Sequence, residues 1–174
     1  MALLILDKDG TLTKPKSGGK FPKSFEDQVL RLGVVDGLKR LTALNTRFGI
    51  ATNQCCVEAG FKTVDEAKSE VEYCIQLLAA EGIAVEAAAL CPDFDGKICH
   101  LWFCDWGSWQ EFKHEFFRKP GGGMLNLLAE FILGDQRDRE FKQYTGDRPE
   151  DRAAAVSAGF EFLEMNVVFG SNNA

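Results

Sequence analysis

Residues 3–6 form an uninterrupted apolar run, Leu-Leu-Ile-Leu, that ends abruptly in Asp7-Lys8-Asp9-Gly10-Thr11. A run without polar alternation suits a strand buried on both faces, and such strands belong to parallel sheets covered by helices. The rest of the chain follows the same logic. Asp36 is placed to cap a helix carrying Leu38, Leu41 and Leu44, and "RFGIAT" (47–52) reads as a second strand. Val64, Ala67, Val71, Ile75 and Leu78 step by three or four along a helix closed by Gly82. "IAVEAAAL" (83–90) predicts a third strand, "MLNLLAEFIL" (124–133) a helix and "FKQYTG" (141–146) a strand. "PEDRAAAVSAG" (149–159) then reads as a helix and "FEFL" (160–163) as a last strand. This alternation predicts an α/β fold on a mostly parallel sheet. Residues 13–27 read as an exposed loop. Residues 91–117, dense in cysteine and aromatics, read as irregular.

A chain of 174 residues suits one domain, residues 1–174, without linker or repeat. The net charge of −6 disfavours non-specific binding to a phosphate backbone. No apolar stretch approaches the roughly 20 residues that cross a bilayer, so no membrane partner is expected. Without the pattern of a signal peptide the expected location is cytoplasmic, and the six cysteines read as reduced thiols. Nothing in the sequence fixes an oligomeric state.

Parallel sheets bind ligands at the carboxyl ends of their strands. Asp7, Thr52 and Asp147 each lie at such an exit, and Lys119 with its following glycines precedes a helix on the same edge. Carboxylates at 7, 9 and 147 make a cluster of hard oxygens suited to Mg²⁺, which takes one or two carboxylates together with a substrate phosphate. A fixed carboxylate is also a nucleophile. Lys119 offers a compact positive charge, Thr52 a hydroxyl donor, and the turn at Gly10–Thr11 backbone amides for an anion. Such a set would stabilise a transferring phosphoryl group.

Four segments also resemble, in order, the motifs of the haloacid dehalogenase (HAD) superfamily: "DKDGTLT", "IATNQ", "RKPGGGM" and "YTGDRPEDRAAAVSAG". They span residues 7–159. The wording "TNQ" and "KP-x-x-GM" is similar to histidinol-phosphate phosphatases, heptose bisphosphate phosphatases and the 3′-phosphatase domain of polynucleotide kinase-phosphatases. The resemblance implies a three-layer, Rossmann-like fold and a Mg²⁺-dependent phosphomonoesterase working through an aspartyl-phosphate. It implies Asp7 as nucleophile and Asp9 as general acid and base. Thr52 and Lys119 would hold and neutralise the phosphoryl oxygens, and Asp7, Asp147 and the backbone carbonyl of Asp9 would bind the metal. The spacing between motifs leaves no room for a large cap domain.

Other residues carry two readings each. Asn53 and Arg118 are either substrate contacts or a loop-stabilising amide and a solvated cation. Asp151 either supports the metal site or supplies negative charge to a helix start. Cys91, Cys99, His100 and Cys104 could form a zinc site, but the spacing departs from the zinc loop of heptose bisphosphate phosphatases, and buried thiols are the commoner outcome. The acidic balance and the absence of an aromatic-basic stripe favour a small phosphorylated metabolite, such as a sugar phosphate, over a nucleic-acid 3′-phosphate end. A reading from another class is a catalytically silent phosphate-binding module.

Overall fold

The computed structural model describes residues 2–170. Its first strand, β1 (Ala2–Leu6), has four fully buried residues and lies between two parallel neighbours, β4 (Thr46–Asn53) and β8 (Phe141–Thr145). The apolar run predicts this placement, because a strand at the middle of a covered sheet has no solvent face. β5 (Ala87–Cys91) continues the parallel sheet beyond β4, and the short β9 (Glu161–Phe162) extends it beyond β8.

Alternation along β1 sends Leu3 and Ile5 to one face and Leu4 and Leu6 to the other. The first pair packs with Met124, Leu125, Leu128 and Ile132 of α3 (Gly123–Leu133) and with Ala154 and Ala155 of α4 (Pro149–Ala158). The second packs with Leu38 of α1 (Val34–Thr42), Val71 and Leu78 of α2 (Val64–Ala80), and Val168 and Phe169 of α5 (Met165–Phe169). The result is a three-layer α/β fold. Gly37, inside α1, lets the α5 backbone approach so closely that a side chain there would strike the Val168 carbonyl.

Helix boundaries follow local chemistry with one correction. Thr63 caps α2 through a reciprocal pair with Glu66. Asp36 is not the cap of α1; Gly33 occupies that position at φ 82°, and Asp36 sits in the first turn, where its charge suits the helix dipole. Leu44 lies beyond the helix and is exposed.

The segment read as irregular contains two strands. β6 (Ile98–Phe103) pairs antiparallel with β5, and β7 (Trp109–Lys113) pairs antiparallel with β6 at the sheet edge. β7 is mostly exposed, so it carries none of the apolar periodicity that marks a buried strand. Residues 13–27 contain only β2 (Thr13–Pro15), which pairs with β3 (Gln28–Leu30) as a small hairpin after β1. No large cap is inserted among the described residues. None of their helices is long and apolar enough to cross a membrane.

Candidate active site

The carboxyl ends of β1, β4 and β8 and the start of α3 meet at one edge. Asp7, the first residue past β1, is 5% exposed. Thr11 Oγ1 donates to Asp7 Oδ2 at 3.0 Å, and Lys119 Nζ donates to Asp7 Oδ1 at 2.6 Å. The ammonium is fully engaged: it also meets Asp151 Oδ1 at 2.7 Å, Tyr144 Oη at 2.9 Å and the Ala51 carbonyl at 3.3 Å. Asn53 fixes the backbone that carries this lysine, donating to the Lys119 carbonyl and accepting from its N–H, both at 3.0 Å. This is the geometry of a loop-stabilising amide.

Asp147 lies against Gly10, whose φ of 88° and contact with the Asp147 carboxylate leave no room for a side chain. Asp7, Asp147 and Asp151 offer carboxylate oxygens that all lie within 4.8 Å of one another. The Asp151 carboxylate is part of this cluster, and its Oδ2 accepts the Arg148 N–H at the start of α4. The Asp9 carboxylate is not in the cluster, contrary to a metal-ligand reading of its side chain. It is turned towards Lys8, with which it forms a close ion pair, and towards Gln54 Nε2 at 2.6 Å. Gln54 also donates to Thr52 Oγ1 at 3.0 Å, so one amide ties the two residues together.

The charges bear the marks of crowding. Burial pushes the Asp7 carboxyl up to about 6 against the pull of Lys119. Burial, then the neighbouring Asp151, raises Asp147 as well. Enclosure works against ionisation of Asp9, but the Lys8 charge and the bonds from Lys8 and Gln54 outweigh it and hold that carboxyl below its usual range. Burial also opposes the Lys119 charge, yet Asp7, Tyr144 and Asp151 around it drive its pKa well up. The buried Asp7 and the exposed Asp147, both with raised pKa values, form beside the buried Asp151 the hard-oxygen surplus that a small divalent cation neutralises.

The zinc reading fails on geometry. Cys91 and Cys99 are buried in the core beneath α3. His100 follows Cys99 along β6, so alternation points it to the opposite face, where Nε2 lies 4.0 Å from Glu111. Cys104 is exposed beyond the strand. Among the described residues these four do not assemble into a metal-binding group. Burial also pushes the Cys91 thiol up to about 12 and raises Cys99, whereas zinc takes thiolates.

Next to Lys119 in the chain, Arg118 stacks at 5.7 Å over Phe94, with one guanidinium nitrogen buried and without a hydrogen-bond partner. Lys20 lies 5.4 Å over Phe21, and Phe61 is 86% exposed, while the adjoining Lys62 is drawn to Glu70. The Lys20–Phe21 pair lies on one loop and Phe94 and Arg118 on two others, which is why no stripe is visible in the sequence. Tyr144 and Gln54 are also site residues that the sequence reading missed, and Thr11, named there for its backbone amide, brings its hydroxyl as well. Gln54 and Thr11 adjoin named motif residues; Tyr144 carries no local signal, since only the fold turns it towards Lys119.

Comparison with known proteins places this geometry in context. The family model described as polynucleotide kinase 3 phosphatase matches residues 2–173. A D-glycero-beta-D-manno-heptose-1,7-bisphosphate 7-phosphatase of Pseudomonas putida is 28% identical, over 91% of this chain and 79% of its own length. A histidine biosynthesis bifunctional protein of Baumannia cicadellinicola is 23% identical over 94% of this chain, but the match covers only 41% of that protein. Among solved structures, the D,D-heptose 1,7-bisphosphate phosphatase of B. bronchiseptica, complexed with magnesium and phosphate, superposes with a TM-score of 0.68. It is 26% identical over 93% of this chain and 79% of that one.

Proposed function

The chain belongs to the polynucleotide kinase 3 phosphatase family and is a phosphatase of the HAD superfamily; from that premise we propose that it hydrolyses a small phosphomonoester, such as a sugar phosphate, through a phosphoryl group carried on Asp7. The observation that carries the reading is the Asp7 carboxylate, buried at the tip of β1, with Lys119 on one oxygen and Thr11 on the other. In the proposed reaction an Asp7 oxygen attacks phosphorus, the bond to the leaving oxygen breaks, and Asp9 gives that oxygen a proton. Asp9 then takes a proton from the water that attacks phosphorus, releasing inorganic phosphate and restoring Asp7. Thr52, Lys119 and the Gly10–Thr11 amides hold the phosphoryl oxygens. Arg118 borders the group that leaves, and the whole chain acts as one domain.

Asp7, Asp147, Asp151 and the Asp9 backbone carbonyl would hold Mg²⁺, which supplies charge neutralisation at the transferring phosphoryl group. Ion binding competes with the proton on Asp7, whose carboxyl is raised to about 6. Protonation lies on the acid side, so Mg²⁺ affinity should be flat above neutrality and fall by about tenfold per pH unit below about 6. Calorimetric titration with Mg²⁺ across that range checks this; an affinity unchanged down to pH 5 would contradict it.

The sugar-phosphate reading draws on the heptose bisphosphate phosphatase relatives and on the lack of a large cap among the described residues. A second reading, a nucleic-acid 3′-phosphate end, is favoured by the Phe21–Lys20 and Phe94–Arg118 neighbours, since exposed aromatics beside cations suit stacked bases and phosphates. Purified protein with Mg²⁺ should release phosphate from sugar phosphates faster than from 3′-phosphorylated oligonucleotides. The reverse order selects the second reading. No release from any of these or from p-nitrophenyl phosphate leaves only a phosphate-binding module.

A further inference from the structure

Tyr144 lies in β8 opposite Ile5 of β1, two residues short of Asp7 along the sheet, and it is fully buried. Its ring shares the core beneath α3 and α4 with Leu3 and Ile5 and meets Phe162 edge-on at 6.4 Å. A phenol in such a core ends in a polar group that must find partners. Here the hydroxyl ends between Lys119, just ahead of α3, and Asp151, in the first turn of α4. It accepts from Lys119 Nζ at 2.9 Å and donates to Asp151 Oδ1 at 2.8 Å, and Lys119 Nζ also donates to Asp151 Oδ1 at 2.7 Å. The three groups close a triangle. An ammonium has three N–H bonds to give, and the short contacts of this one are Asp7, Asp151 and Tyr144; the Ala51 carbonyl stands further off at 3.3 Å. Tyr144 and Asp151 hold the ammonium from the core side, and the remaining N–H points at Asp7 Oδ1.

We propose that Tyr144 is a positioning residue: its hydroxyl, together with Asp151, holds the Lys119 ammonium at the Asp7 carboxylate, where the phosphoryl group is transferred. This rests on the reading of Asp7 as the phosphoryl carrier and of Lys119 as the charge that neutralises its oxygens. A lysine is a point charge on a flexible four-carbon stem, so its bonding partners decide where the charge stands. Placement matters because a donor stabilises developing charge only where that charge forms, and a small displacement removes much of the effect. Tyr144 has no exposed surface from which to touch a substrate, so its influence passes through Lys119 and falls on kcat.

The experiment measures kcat and KM on p-nitrophenyl phosphate for wild type, Tyr144→Phe, Lys119→Met and the double variant, each below its melting temperature. Calorimetric titration gives the Mg²⁺ affinity of wild type and Tyr144→Phe. Tyr144→Phe keeps the ring and removes the hydroxyl. It should lose about 5–50-fold in kcat, less than the loss of the whole lysine, with KM and Mg²⁺ affinity within about twofold of wild type. In the Lys119→Met background the same change should cost less than about twofold, since no ammonium is left to place. An equal loss in both backgrounds, a loss under about threefold in wild type, or a loss matched by weaker Mg²⁺ binding would overturn the role of Tyr144. Tyr144→Met, which also lacks the hydroxyl, carries the comparison if Tyr144→Phe does not fold, and the split between kcat, KM and Mg²⁺ affinity decides alone if Lys119→Met does not. If wild type shows no turnover, or Lys119→Met retains all of it, the underlying reading falls and the proposal falls with it.

Discussion

Asp7→Asn is expected to reduce phosphate release to background, a fall of about 10⁴-fold or more, because the amide cannot form the covalent intermediate. The same change should not weaken the fold. Burial raises the Asp7 carboxyl from 3.8 to about 6, so the folded state disfavours its charge. The sign follows from linkage: this cost is fully present above about pH 6 and is relieved as pH falls through the folded pKa towards the unfolded one. In EDTA near neutrality Asp7→Asn should therefore match or exceed wild type, by up to about 3 kcal/mol, and the advantage should shrink on acidification. Thermal melts at two pH values check it. A large loss of stability near neutrality would show that the Lys119–Asp7 pair outweighs the desolvation.

Lys119 should behave in the opposite way. Its ammonium sits among Asp7, Asp151 and Tyr144, and it is 5% exposed. Truncation in Lys119→Ala leaves two buried carboxylates facing each other without a cation. Breaking a buried pair in this manner costs about 3–5 kcal/mol, which for a chain of this size lowers Tm by roughly 6–20 °C. Phosphatase activity should fall by about 10²–10³-fold, the typical effect of losing one electrostatic donor at a transferring group. Lys119→Arg should rescue little, since the socket fits a compact ammonium and not a planar fork. Added Mg²⁺ should recover part of the lost Tm, because a cation neutralises the same oxygens. A variant that melts like wild type in EDTA would contradict the burial and pairing described above.

These two residues were legible in the sequence because their signals are local. Leu3–Leu6 announces a doubly covered strand, and the acidic pair directly after it marks the strand exit. Lys119 stands before a glycine-rich helix start, and Asp147 before a proline-led one. What was hidden depends on which way side chains turn once the sheet is assembled. Asp9 faces Lys8 and Gln54 and not the carboxylate cluster. Tyr144 reaches Lys119 only because β8 lies beside β1. The β6–β7 hairpin escaped detection because an exposed edge strand has a mixed burial pattern, and its cysteines mimicked a ligand set that strand alternation pulls apart. The Phe94–Arg118 stack combines loops far apart in sequence, which periodicity cannot register.

The central claim is that Asp7 carries the phosphoryl group, and it can be read directly. Turnover with a good substrate and Mg²⁺ is quenched in acid, and the peptide containing Asp7 is weighed by mass spectrometry. The expected result is an added HPO₃ on Asp7, absent without Mg²⁺ and absent in Asp7→Asn. Phosphate release that persists in Asp7→Asn, or an HPO₃ group found on another residue, would contradict the account.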